Sequence, residues 1–395
     1  MLAVLPLSLW AQRMTVSAKI RDRETGEPLA FASVGIKGQP IGTISNANGE
    51  FDFHFPVDLR NDTIVISMLG YRNFEAPIWT LVEKPDQILT LEKSLIVLQE
   101  IVVSDTITGG EVLRIALSRI EENYPMQPFL LDGFYRDVKK VGGTYISLLE
   151  AAVKIYDENY SEPRNKHKLR ERVRLVEVRK SVGYESKFTT YFDQANLLED
   201  LLLQNSVRYR HIQMTDEEFA SLGREPNTIF DNHEIYVVKS TIDSTLRVFV
   251  DKTDFSIIHI EFQYMPNDTY LKKKNLISKF VGTKTSLDFR RYKGKMYPSF
   301  FEMTTKINWY DFSTGDLKFE TELFQQLLIN NVEANAEEKI AGTERMRNYG
   351  LQYQDLPYNK EFWDNYNVIK ETPLDKKILV DLEKVGPLEK QFADY

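Results

Sequence analysis

The feature that most constrains this 395-residue chain is a succession of long strand-like runs in its second half. "IFDNHEIYVVKSTI", "STLRVFVDKTDFSIIHIEFQY", "TSLDFRRYKGKMYPSFFEMTTKINWYDF" and "DLKFETELFQQLLI" follow one another with only short turns between them. The pairs Asp243-Ser244, Lys293-Gly294 and Thr314-Gly315, and the segment from Asp251 to Asp254, are the turn signals. A parallel sheet needs a crossover of about a dozen residues between partners, so these runs predict an antiparallel meander. A single curved sheet of this size must hide its concave face with helices, a lipid or a partner. Helical insertions around "ANLLEDLLLQ" and "TDEEFASLG" interrupt the meander, and Thr215 and Glu218 have capping-box spacing.

The length predicts two domains. An abundance of ring residues, 23 Phe and 20 Tyr, agrees with mostly strand. A net charge of -8 argues against a nucleic-acid partner, because such binders present a basic face to the phosphates. The absence of cysteine removes disulfides, thiolate metal sites and a cysteine nucleophile together. The opening run "MLAVLPLSLWAQ", residues 1–12, reads as the remnant of a cleaved secretory signal without its basic start, and no Cys follows it to accept a lipid. No other apolar stretch approaches the roughly 18 residues of a membrane span. The expected product is exported, periplasmic and associated with the outer membrane.

Residues 13–104 read as short strands at close spacing, the pattern of a small β-sandwich. "MTVSAKIRD" alternates, Thr25-Gly26 marks a turn, and Asn48-Gly49 is the dipeptide favoured in a type I′ hairpin. Phe51, Phe53 and Phe55 follow at period two, so one face of that strand must be buried. Asn46, Asn48 and Glu50 have the spacing of a calcium loop, but two are neutral amides and the twelfth residue is Val57, where a bidentate Glu is needed. The turn reading is preferred, and no metal or cofactor is expected.

"IRDRETGEPLAFASVGIKG", "GTISNANGEFDF" and "DTIVISMLGYRNFE" resemble the carboxypeptidase-regulatory-like domain, a transthyretin-like sandwich common in exported Bacteroidota proteins. The resemblance rests on Gly26, the run Ala32 to Ile36, Gly42-Thr43, Gly49-Glu50-Phe51 and Gly70-Tyr71, with Asn46 where relatives often have Asp. It implies a folding and interaction module without catalytic residues, placed before other domains, outer-membrane receptors included.

Residues 105–395 open with a Thr106 to Gly110 hinge and a helix whose Leu113, Leu117 and Ile120 share one face before Pro125. Gly142-Gly143 joins two strand-like runs as a hairpin. The overall expectation is a mainly β protein: a transthyretin/Ig-like sandwich, then a larger α+β domain with a long curved antiparallel sheet and a few helices. "LRVFVDKTDFSIIHIEF" resembles a strand pair of periplasmic lipoprotein-carrier half-barrels, which implies an apolar ligand. "EVLRIALSRIEENYP", the "GFYRDV" and "EAAVKIYD" strands and the C-terminal segment resemble the uncharacterised region that follows this domain in many Bacteroidota proteins.

The residues that carry chemistry are sparse. His233-Glu234 lacks a second ligand because residue 237 is Val, and His54 and His259 sit inside alternating strands as sheet-surface residues. Asp251 and Asp254 read as turn acids rather than a glycosidase pair. No nucleophile elbow, phosphate loop or dinucleotide fingerprint is present, so no enzyme is expected. Two basic clusters stand out in an acidic chain: Arg164, Lys166, Lys168, Arg170, Arg172 and Arg174, then Lys272, Lys273 and Lys274. Together they suit an anion-facing surface for lipid or lipopolysaccharide head groups or an acidic partner. Phe362, Trp363, Tyr366 and Phe392 form a candidate partner-docking tail. The expected function is a non-enzymatic accessory scaffold of an outer-membrane protein assembly or transport complex. The alternative is a periplasmic carrier of an apolar ligand in a half-barrel groove lined by residues such as Phe249, Ile258 and Ile260.

Overall fold

A computed structural model describes residues 13–82, 84, 87–94, 106–181, 183, 187–192, 196–240, 245–265, 269–346, 350–370 and 373–393. The signal-like run 1–12, the domain boundary at 104/105 and the turn Asp243-Ser244 lie outside those residues.

The N-terminal strands form two facing sheets. One has the order β4-β1-β7, from β1 (Arg13–Asp22), β4 (Glu50–Pro56) and β7 (Gln87–Leu91). The other has the order β3-β2-β5-β6, from β2 (Ser33–Ile36), β3 (Gly42–Ile44), β5 (Thr63–Ser67) and β6 (Phe74–Pro77). Phe51, Phe53 and Phe55 project inward at period two and meet Val16, Ile20, Val34, Ile64 and Ile66 in a closed core.

The Asn46 to Gly49 turn differs from the hairpin its dipeptide predicts. β3 and β4 lie in different sheets, so the loop is a corner that carries the chain across the sandwich. Of its residues only Gly49 has positive φ, at +74°, where type I′ needs two. The buried Asn46 Oδ1 accepts from the backbone N–H of Asn48 at 2.9 Å and of Glu50 at 2.8 Å, so this oxygen builds the corner.

The second domain contains one large antiparallel sheet, with the order β10-β9-β8-β18-β17-β16-β14-β13-β12-β11 and β15 paired to β16. Its first part is β8 (Phe129–Val141), β9 (Thr144–Asp157) and β10 (Arg172–Lys180). Next come β11 (Leu222–Phe230), β12 (His233–Ser240), β13 (Leu246–Asp251) and β14 (Ile257–Tyr264). β15 (Thr269–Lys273), β16 (Leu276–Tyr292), β17 (Lys295–Asp311) and β18 (Leu317–Ala334) complete it. The sheet is two meanders, not one. After β10 the chain crosses to the far edge, starts again at β11 and returns until β18 closes on β8.

That crossing segment carries α3 (Leu197–Leu203) and α4 (Asp216–Ala220), which with α1 (Gly109–Ser118) and α2 (Ile120–Asn123) cover one sheet face, called inner here. Val112, Leu113 and Ala116 of α1 and Leu198, Leu201 and Leu202 of α3 share a core with Tyr135, Ala151, Leu327 and Ile260. Both expected capping interactions at α4 form, and Thr108 with Glu111 makes a second capping box at α1. α1 starts against the neighbouring backbone: a Cβ on Gly109 or Gly110 would strike carbonyl oxygens of Gly223 or Phe219. A buried Arg208–Asp157 ion pair, 2.5 and 3.0 Å, ties the crossing segment to β9.

The outer face is polar along one transverse row. Cross-strand register places Arg179, Glu150, Arg136, Gln326, Glu302, Ser286, Glu261, Arg247 and Lys239 side by side on nine strands. Arg136 and Arg179 both hold Glu150, and Arg247 holds Glu261 at 2.9 Å. Against this face pack the sandwich and the C-terminal helices α5 (Lys360–Asp364), α6 (Pro373–Leu382) and α7 (Leu388–Ala393).

The two domains are joined through residues 365–370. Arg13 donates to the carbonyl of Asn365 at 2.6 Å, and Lys370 pairs with Asp52 at 2.9 Å. Between them the Asn367 carboxamide binds both the N–H and the C=O of His54 on edge strand β4, at 2.7 and 3.0 Å. Phe31 stacks on Phe300 at 5.7 Å and Gly70 N–H donates to Ile229 at 2.8 Å, which adds contacts at β17 and β11.

Candidate ligand-binding groove

The helices cover only part of the inner face. Beyond α3 the ends of β14, β16, β17 and β18 carry on with no α-helix over them among the described residues, only a 3-10 turn at Lys187–Tyr191 by their far end, and form the floor of an open groove of about 880 Å³. Alternation on each strand and antiparallel register arrange that floor in transverse rows. The innermost row is Phe262, Thr285, Met303 and Gln325, and the next is Tyr264, Thr283, Thr305 and Leu323. Phe280, Ile307 and Thr321 follow, and Trp309 beside Phe319 closes the series. Six residues of β17 separate Met303 from Trp309, so the floor runs for roughly 20 Å at strand rise.

Apolar side chains and threonine hydroxyls share this surface, and several hydroxyls are turned to internal partners. Thr283 and Thr305 bond each other at 3.1 Å, and Trp309 Nε1 donates to Thr321 at 3.1 Å. The surface left to a ligand is dominated by rings and methyl groups. Tyr191 sets its edge against both Trp309 and Phe319 at 5.0 Å, making an aromatic sill at the outer end. Phe262 and Tyr264, on the β14 side, are 42% and 53% exposed, an unusual state for large rings on a sheet face.

The groove is electrically asymmetric. α3 supplies the Asp200 carboxylate at the inner end, near Tyr135, whose hydroxyl is raised far above its usual range by burial first, then by Asp137, with Asp200 adding the least. At the outer end Lys273 donates to the carbonyl of Thr190 and lies 4.8 Å over the Tyr191 ring, fixing the β15–β16 turn against the groove wall. Lys272 sits 3.6 Å over Phe312, and Lys274 occupies the turn itself with φ +55°.

The other expected site residues lie elsewhere. Register places Arg172 beside Tyr156, Leu130 and Glu333, whereas Lys273 falls in the row of Leu276 and Asp311, next to the start of β18. The two basic clusters are thus separated by nearly the full length of β18, roughly 50 Å at strand rise, and do not form one surface. In the first cluster Lys166 pairs with Glu162, Arg172 binds the carbonyl of Ile340 and Arg174 is shared by Glu338 and Glu344. Arg164, Lys168 and Arg170 remain on an exposed loop at that edge.

The aromatic tail is turned inward. Trp363 is 4% exposed against Phe134 and Phe300, with Phe362 and Tyr366 packed beside it, and Phe392 is buried with Val138 and Leu148. These rings attach the chain's own C-terminal helices, so they do not present a docking face. Ile258 and Ile260 are packed in the core and Phe249 is buried against His259 on the opposite face, so none of the three lines this groove. His259 is buried, contrary to the surface expectation, and binds Asp288 at 2.5 Å. Burial opposes its protonation, but the Asp288 and Glu261 carboxylates prevail and raise it to about 9. Asp251 and Asp254 are both engaged by Arg291, and Asp251 also holds His233 at 2.7 Å.

Comparison with known proteins identifies one segment. Residues 16–103 match the family described as CarboxypepD_reg-like domain. Over 74 residues the chain is 36% identical to the TonB-dependent receptor SusC of Bacteroides thetaiotaomicron, covering 19% of this chain and 7% of that protein. The chain therefore spans less than a tenth of the length of that curated relative. Among solved structures, one of lipid–protein interactions in lipovitellin aligns with 59% of this chain and 28% of its own, at 8% identity and a TM-score of 0.28. A lipoxygenase from Cyanothece aligns with 79% of this chain and 42% of its own, at 9% identity and a TM-score of 0.18. At such scores neither carries an argument about this fold.

Proposed function

Because residues 16–103 form a CarboxypepD_reg-like domain, we propose that this chain is a non-enzymatic periplasmic accessory subunit of an outer-membrane protein assembly or transport complex. The observation that carries the reading is the orientation of the sandwich. Edge strand β4 is pinned by Asn367 and β3 faces β18, so the opposite edges, β7 and β6, lie on the side of the sandwich away from β18, with Asn73 before β6 bonded to Asp231 of the β11–β12 turn. Ile88 on β7 and Trp79 just after β6 are 56% and 57% exposed there, as expected of a surface kept for a partner. The likeness to part of a TonB-dependent receptor supports a partner in outer-membrane transport.

The test is native purification in mild detergent with identification of co-eluting proteins. Outer-membrane proteins should co-elute with the wild type and be lost from a Trp79→Ser/Ile88→Ser variant. Elution of the wild type as a lone monomer counts against the reading.

A second, compatible reading is favoured by the groove. Its volume of about 880 Å³ lies within the range of ligand sites, roughly 300 to 1,000 Å³. The subunit then holds an elongated apolar molecule along β16, β17 and β18. Solvent extraction of purified protein should release a stoichiometric lipid, and Thr305→Trp, which fills the floor, should abolish it. Extracts equally empty of lipid from both proteins would sink this reading.

A further inference from the structure

Resting on the groove reading, we propose that the ligand is a single-chain amphiphile with an anionic head, its acyl tail along the β16–β18 floor and its head at Lys273 and Lys274 of the β15–β16 turn. Two independent observations meet at this turn. The first is position: the bond from Lys273 to the Thr190 carbonyl fixes the turn to a residue that lines the groove, at the end marked by Tyr191 and Trp309.

The second is charge balance. Neither ammonium group makes an ion pair among the described residues, although the chain carries 58 acidic against 50 basic residues. The contacts of Lys273 are a carbonyl oxygen and one ring face, which leave its positive charge uncancelled.

Length fits the same occupant. The floor of roughly 20 Å accommodates the ~15 Å that one leaflet's chains occupy in a ~30 Å hydrocarbon core, so one acyl chain fits along it with its head at the Trp309 end. A carboxylate and a phosphate head satisfy the ammonium groups equally, and the two sources separate in the test below.

Binding to the full chain is measured by displacement of a fluorescent acyl probe, using a long-chain fatty acid, a lysophosphatidic acid and the uncharged alcohol of the same chain length. At least one of the two anions is expected to bind about tenfold more tightly than the alcohol, with the preference shrinking as salt rises. The tighter anion identifies the head group. Lys273→Gln/Lys274→Gln, at the β15–β16 turn, should reduce the anions to the level of the alcohol and leave the alcohol unchanged. Equal binding of acid and alcohol, or a preference that survives the double substitution, overturns the proposal while leaving the groove reading intact. Failure of every amphiphile to bind, or binding undiminished in Thr305→Trp, overturns both.

Discussion

Replacing Asn367 with Ala should uncouple the sandwich from the large sheet, and the size of the effect follows from its contacts. The Asn367 side chain is 6% exposed and imitates a neighbouring strand: its Oδ1 accepts from His54 N–H at 2.7 Å and its Nδ2 donates to His54 C=O at 3.0 Å. Each bond contributes about 1 kcal/mol net, and leaving a partly buried peptide group unpaired raises the loss toward the upper end of its range. The combined cost is about 2 to 3 kcal/mol. The main-chain carbonyl of Asn367 still accepts from Asn330, so the tail keeps its anchor on β18 and the loss falls on the junction alone. Amide hydrogen exchange reads this locally. Where exchange proceeds by local opening, 2 to 3 kcal/mol corresponds to roughly 30- to 150-fold faster exchange at the His54 N–H. Amides of β17, buried in the sheet centre, should be unchanged. Calorimetry should then resolve the sandwich as an earlier transition. Unchanged His54 exchange together with a single unaltered transition would refute the assignment of the junction to residues 365–370.

Gly49→Val should unfold the sandwich at lower temperature, because Gly49 has φ +74° and its new Cβ would strike the Ile20 carbonyl; a loss of at least 2 kcal/mol is expected by thermal denaturation. Added calcium should leave the wild-type melting temperature unchanged, and a calcium-dependent shift would show that Asn46 serves a metal. His259 makes stability depend on pH. Its protonated form is favoured in the folded state, raised from 6.5 to about 9 by Asp288 and Glu261 over the opposition of burial, with Arg247 bonded to Glu261 from β13. The stabilisation is complete below about pH 6.5 and disappears as pH rises through 9, an effect of order 3 kcal/mol. Urea titrations at pH 6 and 9.5 should show this loss in the wild type and not in His259→Gln; parallel behaviour of the two proteins would refute it.

Local chemistry explains which parts of the structure were legible in advance. Phe51, Phe53 and Phe55 have to bury one strand face because period two leaves them no alternative, and the strands of the large domain announce themselves by alternation and tight turns. Thr215 and Glu218 cap a helix through contacts three residues apart, so that capping box was readable too. The corner at Asn46 to Gly49 was not, since Asn-Gly reports a preference for positive φ and says nothing about which sheet receives the next strand. The groove left a partial trace. Thr283 and Thr285 on one run and Met303, Thr305, Ile307 and Trp309 on the next share a face by spacing alone, yet spacing does not tell whether a helix covers them.

Residue order by itself determined the mainly β composition, the CarboxypepD_reg-like sandwich at residues 16–103 and the alternating faces of the long strands. Those properties depend on neighbours a few positions apart. Tertiary structure decided the rest through contacts between residues hundreds of positions apart: β8 closing on β18, α3 ending short of the strand tips, and the C-terminal rings turned into the chain's own sheet. It also separated two basic clusters that look alike in sequence. One spends much of its charge on Glu338 and Glu344, and in the other Lys273 makes no ion pair among the described residues and bonds the carbonyl of Thr190 at the end of the groove.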